Sequence, residues 1–232
     1  MPDSIETLLV VAAESEATAA CSLFELTLPK DAQPGTLFRI SSSVWVLLTG
    51  IGKANASAMV ARTLAMSPPK RVINIGIAGA LPEGGLEIGD VITASRSIFA
   101  DEGVDTPNGF LDCRAIGFPI YRNDDGAGLP PDQELRAKLK RLNLTEVGVA
   151  TVSTCSGRDA LATRIRRRTG AAAEAMEGAA VLLACQHACV PAAELRVISN
   201  TTGDRDAQVW DIGLALDTLA KVALQISDID FD

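Results

Sequence analysis

A three-layer α/β/α sandwich around a mixed, largely parallel central sheet is the α/β fold that this 232-residue sequence predicts. Three observations carry the prediction. Short apolar runs alternate with helix-length segments along the chain, the pattern of helices packed over a sheet. Several of the runs are apolar at consecutive positions, so both faces are covered, as in parallel strands between two helical layers. No repeat and no Ser- or Pro-rich linker divides the chain, which sets the expectation of a single domain over 1–232.

The elements follow in order. TLLVVAA (7–13) reads as a strand leading to a helix at 15–25, with Glu14 and Glu16 just beyond the strand. Two residues apart, these carboxylates cannot share a helical face, so at most one points at a site above the strand. VWVLLT (44–49) passes through TGIGKANA (49–56) into a helix at 53–66. The loop looks at first like a phosphate cradle. However, Ala54 stands where a Walker A loop needs Ser or Thr, and Asn55 where the dinucleotide fingerprint needs its third Gly. A tight strand-to-helix turn accounts for it. RVINIGIA (71–78) is a buried strand followed by small residues in NIGIAGALPEGG (74–85). Gly76, Gly79 and Ala80 would let a flat or sugar-like ligand approach the backbone, and close strand–helix packing would use the same residues.

DVITASRSIF (90–99) is the next strand, and the Gly-, Pro- and Asp-rich stretch 101–131 reads as a long irregular loop of the kind that is functional or mobile. A helix at 132–142, the strand VGVATVS (147–153) and a helix at 158–169 come next. GAAAEA (170–175) is a short strand running into a helix of small residues at 177–189. ELRVISN (194–200) is the last strand and 208–227 the last helix.

Ligands of α/β sheets gather beyond the carboxyl ends of the strands. Attention therefore falls on Glu14 and Glu16, the 50–53 turn, Ile77 to Ala80, Ser153 to Gly157, Met176-Glu177, and Ser199-Asn200. Glu177 opens a helix, where a carboxylate is favoured by the helix dipole, so capping is one account of it. The small residues Gly178, Ala179 and Ala180 mark a crowded, buried helix end at which a charge needs a partner, and ribose hydroxyls would serve. Asn200 is open to two readings, a turn amide or a group that reads a ligand.

Composition limits the partners. A net charge of −8 argues against nucleic acid, whose phosphates need clustered Lys and Arg. The cluster Arg164, Arg166, Arg167 and Arg168 has no aromatic beside it in sequence and reads as a solvated helix face. Five cysteines without a C-x-x-C pair suit free thiols in a reducing compartment. A lone histidine, His187, makes a zinc site improbable and reads as a packed side chain. No apolar run reaches the ~20 residues of a membrane span. The acidic N-terminal stretch lacks the positive charge of an export signal, so a cytoplasmic protein is expected.

The ordered segments VVAAESE, GIGKANA, NIGIAGAL, GDVITASRSIFADEG, EAMEGAA and LRVISN, spread over almost the whole chain, resemble the nucleoside phosphorylase and nucleosidase superfamily. Within it, the likeness is to the methylthioadenosine/adenosylhomocysteine nucleosidases and, through TTGDRDAQVW (201–210), to the futalosine hydrolases. The resemblance implies a purine nucleoside substrate, no cofactor, no metal, and a homo-oligomer. It implies that Glu16 activates the attacking water and that Met176 and Glu177 lie beneath the ribose, with Glu177 on its hydroxyls. It places Ala78 and Gly79 along the ribose and water site and Thr154, Cys155 and Ser156 along the base, with Ser199 also binding substrate.

Two departures bear on the chemistry. Where relatives that use phosphate carry Arg and Ser, this chain carries Asn74 and Ile77. Losing both removes charge-assisted bonds worth ~1.5–3 kcal/mol each, which favours water as the acceptor. Adenine-specific relatives have Asp at position 200. Asn200 has no proton to give, so its carbonyl must accept from N7–H and its NH₂ faces the 6-position, where a 6-oxo group fits. The implied reaction is release of hypoxanthine from futalosine in menaquinone biosynthesis. The alternatives are a methylthioadenosine/adenosylhomocysteine nucleosidase and a catalytically silent nucleoside-binding protein. Arg96 and Arg158 are candidates for contact with the 5′ substituent.

Overall fold

The computed structural model describes residues 5–121 and 124–231. Strands β1 (Thr7–Val11), β2 (Leu37–Arg39), β3 (Val44–Leu48), β4 (Arg71–Ala80), β5 (Val91–Phe99), β8 (Thr145–Thr151), β9 (Ala173–Ala175) and β10 (Ala192–Thr201) form the main sheet. Strands β6 (Gly103–Thr106) and β7 (Gly109–Asp112) make a separate hairpin. The helices are α1 (Glu14–Ser22), α2 (Lys53–Met66), α3 (Gln133–Leu139), α4 (Asp159–Thr169), α5 (Gly178–His187) and α6 (Ile212–Ser227).

The layers follow from strand alternation. On β1, Leu9 and Val11 pack into a cluster with α1 and α6, while Leu8 and Val10 pack with α2 and α5 on the other side. Both faces of the strand are thus buried, as its consecutive apolar residues require. The helix ends carry ordinary chemistry. Asp132 caps α3 by accepting from Leu135 N at 2.9 Å, Asp211 caps α6 by accepting from Leu214 N at 2.9 Å, and Gly170 ends α4 at φ 70°.

The sheet is mixed, and its middle departs from an open sandwich. Strand β10 pairs with β4 in parallel and with β5 in antiparallel orientation, so β4, β10, β5, β8 and β9 close into a ring. Small and branched side chains from all five strands, including Ala78, Ala94, Val149, Ala173 and Ile198, pack together there. A short ring has little interior volume, which accounts for the alanine-rich β9.

Three expectations need correction. The stretch 101–131 is not wholly irregular, because Gly103–Thr106 and Gly109–Asp112 pair as a hairpin. Phe110 of that hairpin lies 3.9 Å from the Arg168 guanidinium, so the arginine cluster does have an aromatic partner, supplied from far away in sequence. His187 is exposed at the last turn of α5 rather than packed.

Candidate active site

The edge of β4 that faces β1 is shared between two strands. Strand β1 pairs with Arg71–Asn74, and β9 pairs with Gly79 and Ala80. Between them, residues 75–78 have no strand partner on that edge among the described residues. A buried N–H left there needs an acceptor. The acceptor is Glu16, whose Oε1 takes Ile77 N at 2.9 Å. Its Oε2 takes Ala12 N at 2.9 Å and Ala13 N at 3.0 Å, across the start of α1. Glu16 thus helps to start its helix, and the same three bonds hold its buried carboxylate at the strand opening. Glu14 is exposed and stays outside. Gly76 is required beneath Glu16, because a Cβ there would fall 2.5 Å from Glu16 Oε1 and 2.6 Å from Arg196 Nη1.

Glu177 immediately precedes α5 but makes no side-chain cap there. Its Oε1 instead accepts Gly52 N at 3.0 Å, and its Oε2 lies 3.5 Å from Arg196 Nη2. The 49–56 loop is thus more than a turn, since Gly52, at φ 92°, presents its N–H to a carboxylate 125 residues away. Burial pushes the Glu177 carboxyl up, and Arg196 opposes that shift.

Arg196 and its neighbours were not foreseen. Its side chain is 1% exposed and is held by Glu194 Oε1 at 2.8 Å and by Asn74 Oδ1. Glu194 Oε2 in turn accepts from Ser97 Oγ, and Asn74 Nδ2 donates to Val10 O at 2.9 Å. Buried Glu177 therefore has a protein cation as its partner. Asn74 belongs to this network, away from the cavity, while Ile77 lines the cavity itself. The signal for the pair was present in ELRVISN, where Glu and Arg sit two apart on one face of an otherwise apolar strand. Such charges survive burial only when paired.

Above the strand ends lies a cavity of about 360 Å³. Glu16, Ala78, Gly79, Cys155, Ser156, Met176, Glu177, Ser199 and Asn200 line it, and Thr154 does not. Arg96 and Arg158 lie outside it, Arg96 donating to Gly128 O at 2.8 Å. Residues that sequence reading left unassigned also line it, among them Glu174, Arg205, Gln208 and Trp210. Gln208 ties that wall together. Its Nε2 donates to Ser156 O and Gly203 O, both at 2.9 Å, and its Oε1 accepts from Arg205 at 3.0 Å and from Trp210 Nε1 at 3.1 Å.

A bulge aims Asn200 into the site. Ile198 registers with Ala78 of β4, yet Asn200 registers with Gly79, so Ser199 is the extra residue. The bulge puts Asn200 beside Gly79, where it would otherwise sit one position further along. Its Nδ2 donates to Thr201 O at 2.8 Å and its Oδ1 accepts from Ser199 Oγ at 2.8 Å. A carbonyl can only accept, so Thr201 O fixes which end of the amide carries nitrogen. One lone pair on Oδ1 and one N–H on Nδ2 remain. Asn200 is thus tied to its own neighbours and also faces the cavity.

A model of the phosphorylase superfamily matches residues 7–229. The futalosine hydrolase of Acidothermus cellulolyticus is 37% identical over 216 residues, covering 92% of this chain and 86% of the relative. That of Streptomyces coelicolor is 34% identical over 233 residues, covering 96% and 95%. Among solved structures, a futalosine hydrolase mutant of Helicobacter pylori strain 26695 superposes with a TM-score of 0.79 at 22% identity, covering 97% of this chain and 99% of that one, a likeness of fold. The chain belongs to the phosphorylase superfamily.

Proposed function

We propose that this chain, as one nucleosidase domain, hydrolyses the N-glycosidic bond of futalosine and releases hypoxanthine, a step of menaquinone biosynthesis. Relatives named futalosine hydrolase at 34–37% identity support the reaction class. The observation that carries the choice of base is the Asn200 amide, whose orientation Thr201 O fixes at 2.8 Å.

The chemistry divides among three side chains. Glu16, already oriented by three backbone N–H groups, keeps one lone pair, on Oε1, with which to take a proton from water as that water attacks the anomeric carbon. Glu177 accepts from the ribose hydroxyls, and Arg196 behind it keeps the charge compensated. The glycosidic electron pair leaves with N9, and the purine takes up a proton from solvent at N7. Asn200 stabilises that leaving group with its free lone pair on N7–H and its free N–H on the 6-oxo oxygen. A 6-amino group would set donor against donor. An amide flip to relieve this would oppose two carbonyl oxygens at Thr201, an unsatisfied pairing costing about 1–3 kcal/mol.

Ile77 supports hydrolysis over phosphorolysis, because an apolar side chain occupies the cavity wall at the position that phosphate-using relatives give to a polar group. Cys155 keeps an exposed surface, yet partial desolvation in the cavity and the nearby Glu174 and Glu177 carboxylates push its thiol up to about 11, so it enters as a neutral wall residue. The enzyme acts on a small nucleoside, and a homo-oligomer in the cytoplasm without a nucleic-acid partner is part of the same proposal. Among the described residues no helix is long and apolar enough to cross a membrane. Incubation with futalosine, with and without added phosphate, tests the reading. Phosphate-independent release of hypoxanthine and a free sugar is expected, and a sugar 1-phosphate would overturn it.

A further inference from the structure

Gly79 has a neighbour on each side. Asn200 of β10 registers with it on one edge and Glu174 of β9 on the other. Residues directly opposite one another in a sheet project to the same face, so both side chains rise on either side of a position that has none. Adjacent strands are about 4.8 Å apart, which sets the two backbones about 10 Å apart with Gly79 as the floor between them. A Cβ on Gly79 would lie 3.1 Å from Asn200 Nδ2 and 2.7 Å from Thr202 Cγ2, so a side chain there would fill the slot. The slot is flat-floored and walled at both edges by polar groups. It suits a planar heterocycle lying over Gly79.

Glu174 is 5% exposed and lines the cavity. Its Oε1 accepts Ser156 N at 2.7 Å and its Oε2 accepts Ser156 Oγ at 2.6 Å. No cation pairs with it among the described residues, in contrast to Glu177. Each oxygen retains a second lone pair, and a buried carboxylate without a cation seeks another donor. A purine in its 6-oxo form carries such a donor at N1–H, next to the oxo group that Asn200 reads. A 6-aminopurine has an acceptor at N1 instead.

We propose that Glu174 accepts the N1–H of a 6-oxopurine, so that two side chains flanking Gly79 share recognition of the base. This rests on the 6-oxopurine reading given above and adds a second, independent determinant to it. Glu174 faces the base edge and takes no part in bond cleavage.

The test compares hypoxanthine, 1-methylhypoxanthine and adenine as competitive inhibitors of wild type and Glu174→Gln. In wild type, hypoxanthine binds tightest, and 1-methylhypoxanthine, which has no N1–H, binds at least roughly 10-fold more weakly, the low end for a lost hydrogen bond to a charged group. In Glu174→Gln, hypoxanthine weakens by roughly 10- to 150-fold while adenine is unchanged or improved. A residue that merely braces the Ser156 loop would weaken all three bases alike, and that result overturns the proposal. Should the variant fold poorly, the wild-type comparison decides, because equal binding of hypoxanthine and its 1-methyl derivative overturns it. A wild type that separates hypoxanthine from adenine while Glu174→Gln separates them equally well removes Glu174 and leaves Asn200 standing. A wild type with no separation overturns both readings.

Discussion

The two halves of the strand Arg71–Ala80 are built on different rules. Its first half is flanked by parallel partners on both edges, and side chains such as Val72 and Ile73 are fully buried in opposite clusters. Its second half has lost β1 and gains β9 only at Gly79 and Ala80, and it is made of Gly and Ala apart from Ile75 and Ile77. In the first half backbone polarity is satisfied by strands and the side chains supply stability. In the second a carboxylate satisfies Ile77 N on the open edge, and the missing side chains leave room for the cavity. A change in the first half should therefore cost stability, and a change in the second should cost rate.

The largest expected effect falls on the open half. Removing general-base capacity with Glu16→Gln should lower kcat by about 10²–10⁴ while base binding persists, read by steady-state rates and inhibition by hypoxanthine. Near-normal turnover would remove Glu16 from the mechanism. Gly76→Ala should come next. Its new methyl would displace the Glu16 carboxylate and the Arg196 guanidinium, and misplacement of about 1 Å can cost roughly 10²-fold in rate. Unaltered kcat in a folded Gly76→Ala protein would show that this half tolerates side chains after all.

Ile73→Ala probes the closed half. A fully buried isoleucine cut to alanine should lose about 2–5 kcal/mol of stability in denaturant titration, with activity per folded molecule retained. A kinetic defect without a stability defect would erase the contrast.

The smallest effect concerns pH. Burial raises the Glu174 carboxyl, against the opposing hydrogen bonds from Ser156, so the folded state binds that proton more tightly than the unfolded chain. Its stabilising contribution is present below the ordinary carboxylate pKa and is lost as pH rises through the raised folded value. Glu174→Gln, which cannot ionise, should then melt at a higher temperature than wild type in thermal scans at pH 8. The difference should shrink towards pH 4. A variant less stable than wild type at pH 8 would mean that the Ser156 bonds outweigh the burial.

The same contrast explains what was legible in the sequence. The closed parts of the fold announce themselves through consecutive apolar residues, and the helix 53–66 matches its expected bounds. Ring closure was not legible, because it depends on β10 using both of its edges, a property of pairing rather than of side-chain pattern. The hairpin 103–112 has strands of only four residues, GVDT and GFLD, too short to show the apolar alternation that marks a strand. In the site, Glu16, Met176, Glu177 and Asn200 stood out because each sits where an apolar run ends. Arg196 and Glu194 did not, since they lie inside the run and become intelligible only as a pair. Glu174 was hidden among alanines in a three-residue strand, and its position beside Gly79 emerges from register alone.

The account turns on the fixed amide of Asn200 beside Gly79, and the most direct measurement holds the 5′ group constant and changes only the 6-position. Futalosine and aminofutalosine should be offered to the wild-type enzyme at equal concentration and the released bases quantified. Hypoxanthine release faster than adenine release by roughly 5- to 150-fold is predicted, from the ~1–3 kcal/mol of a mismatched buried amide. Equal rates, or faster cleavage of the 6-amino substrate, would contradict it.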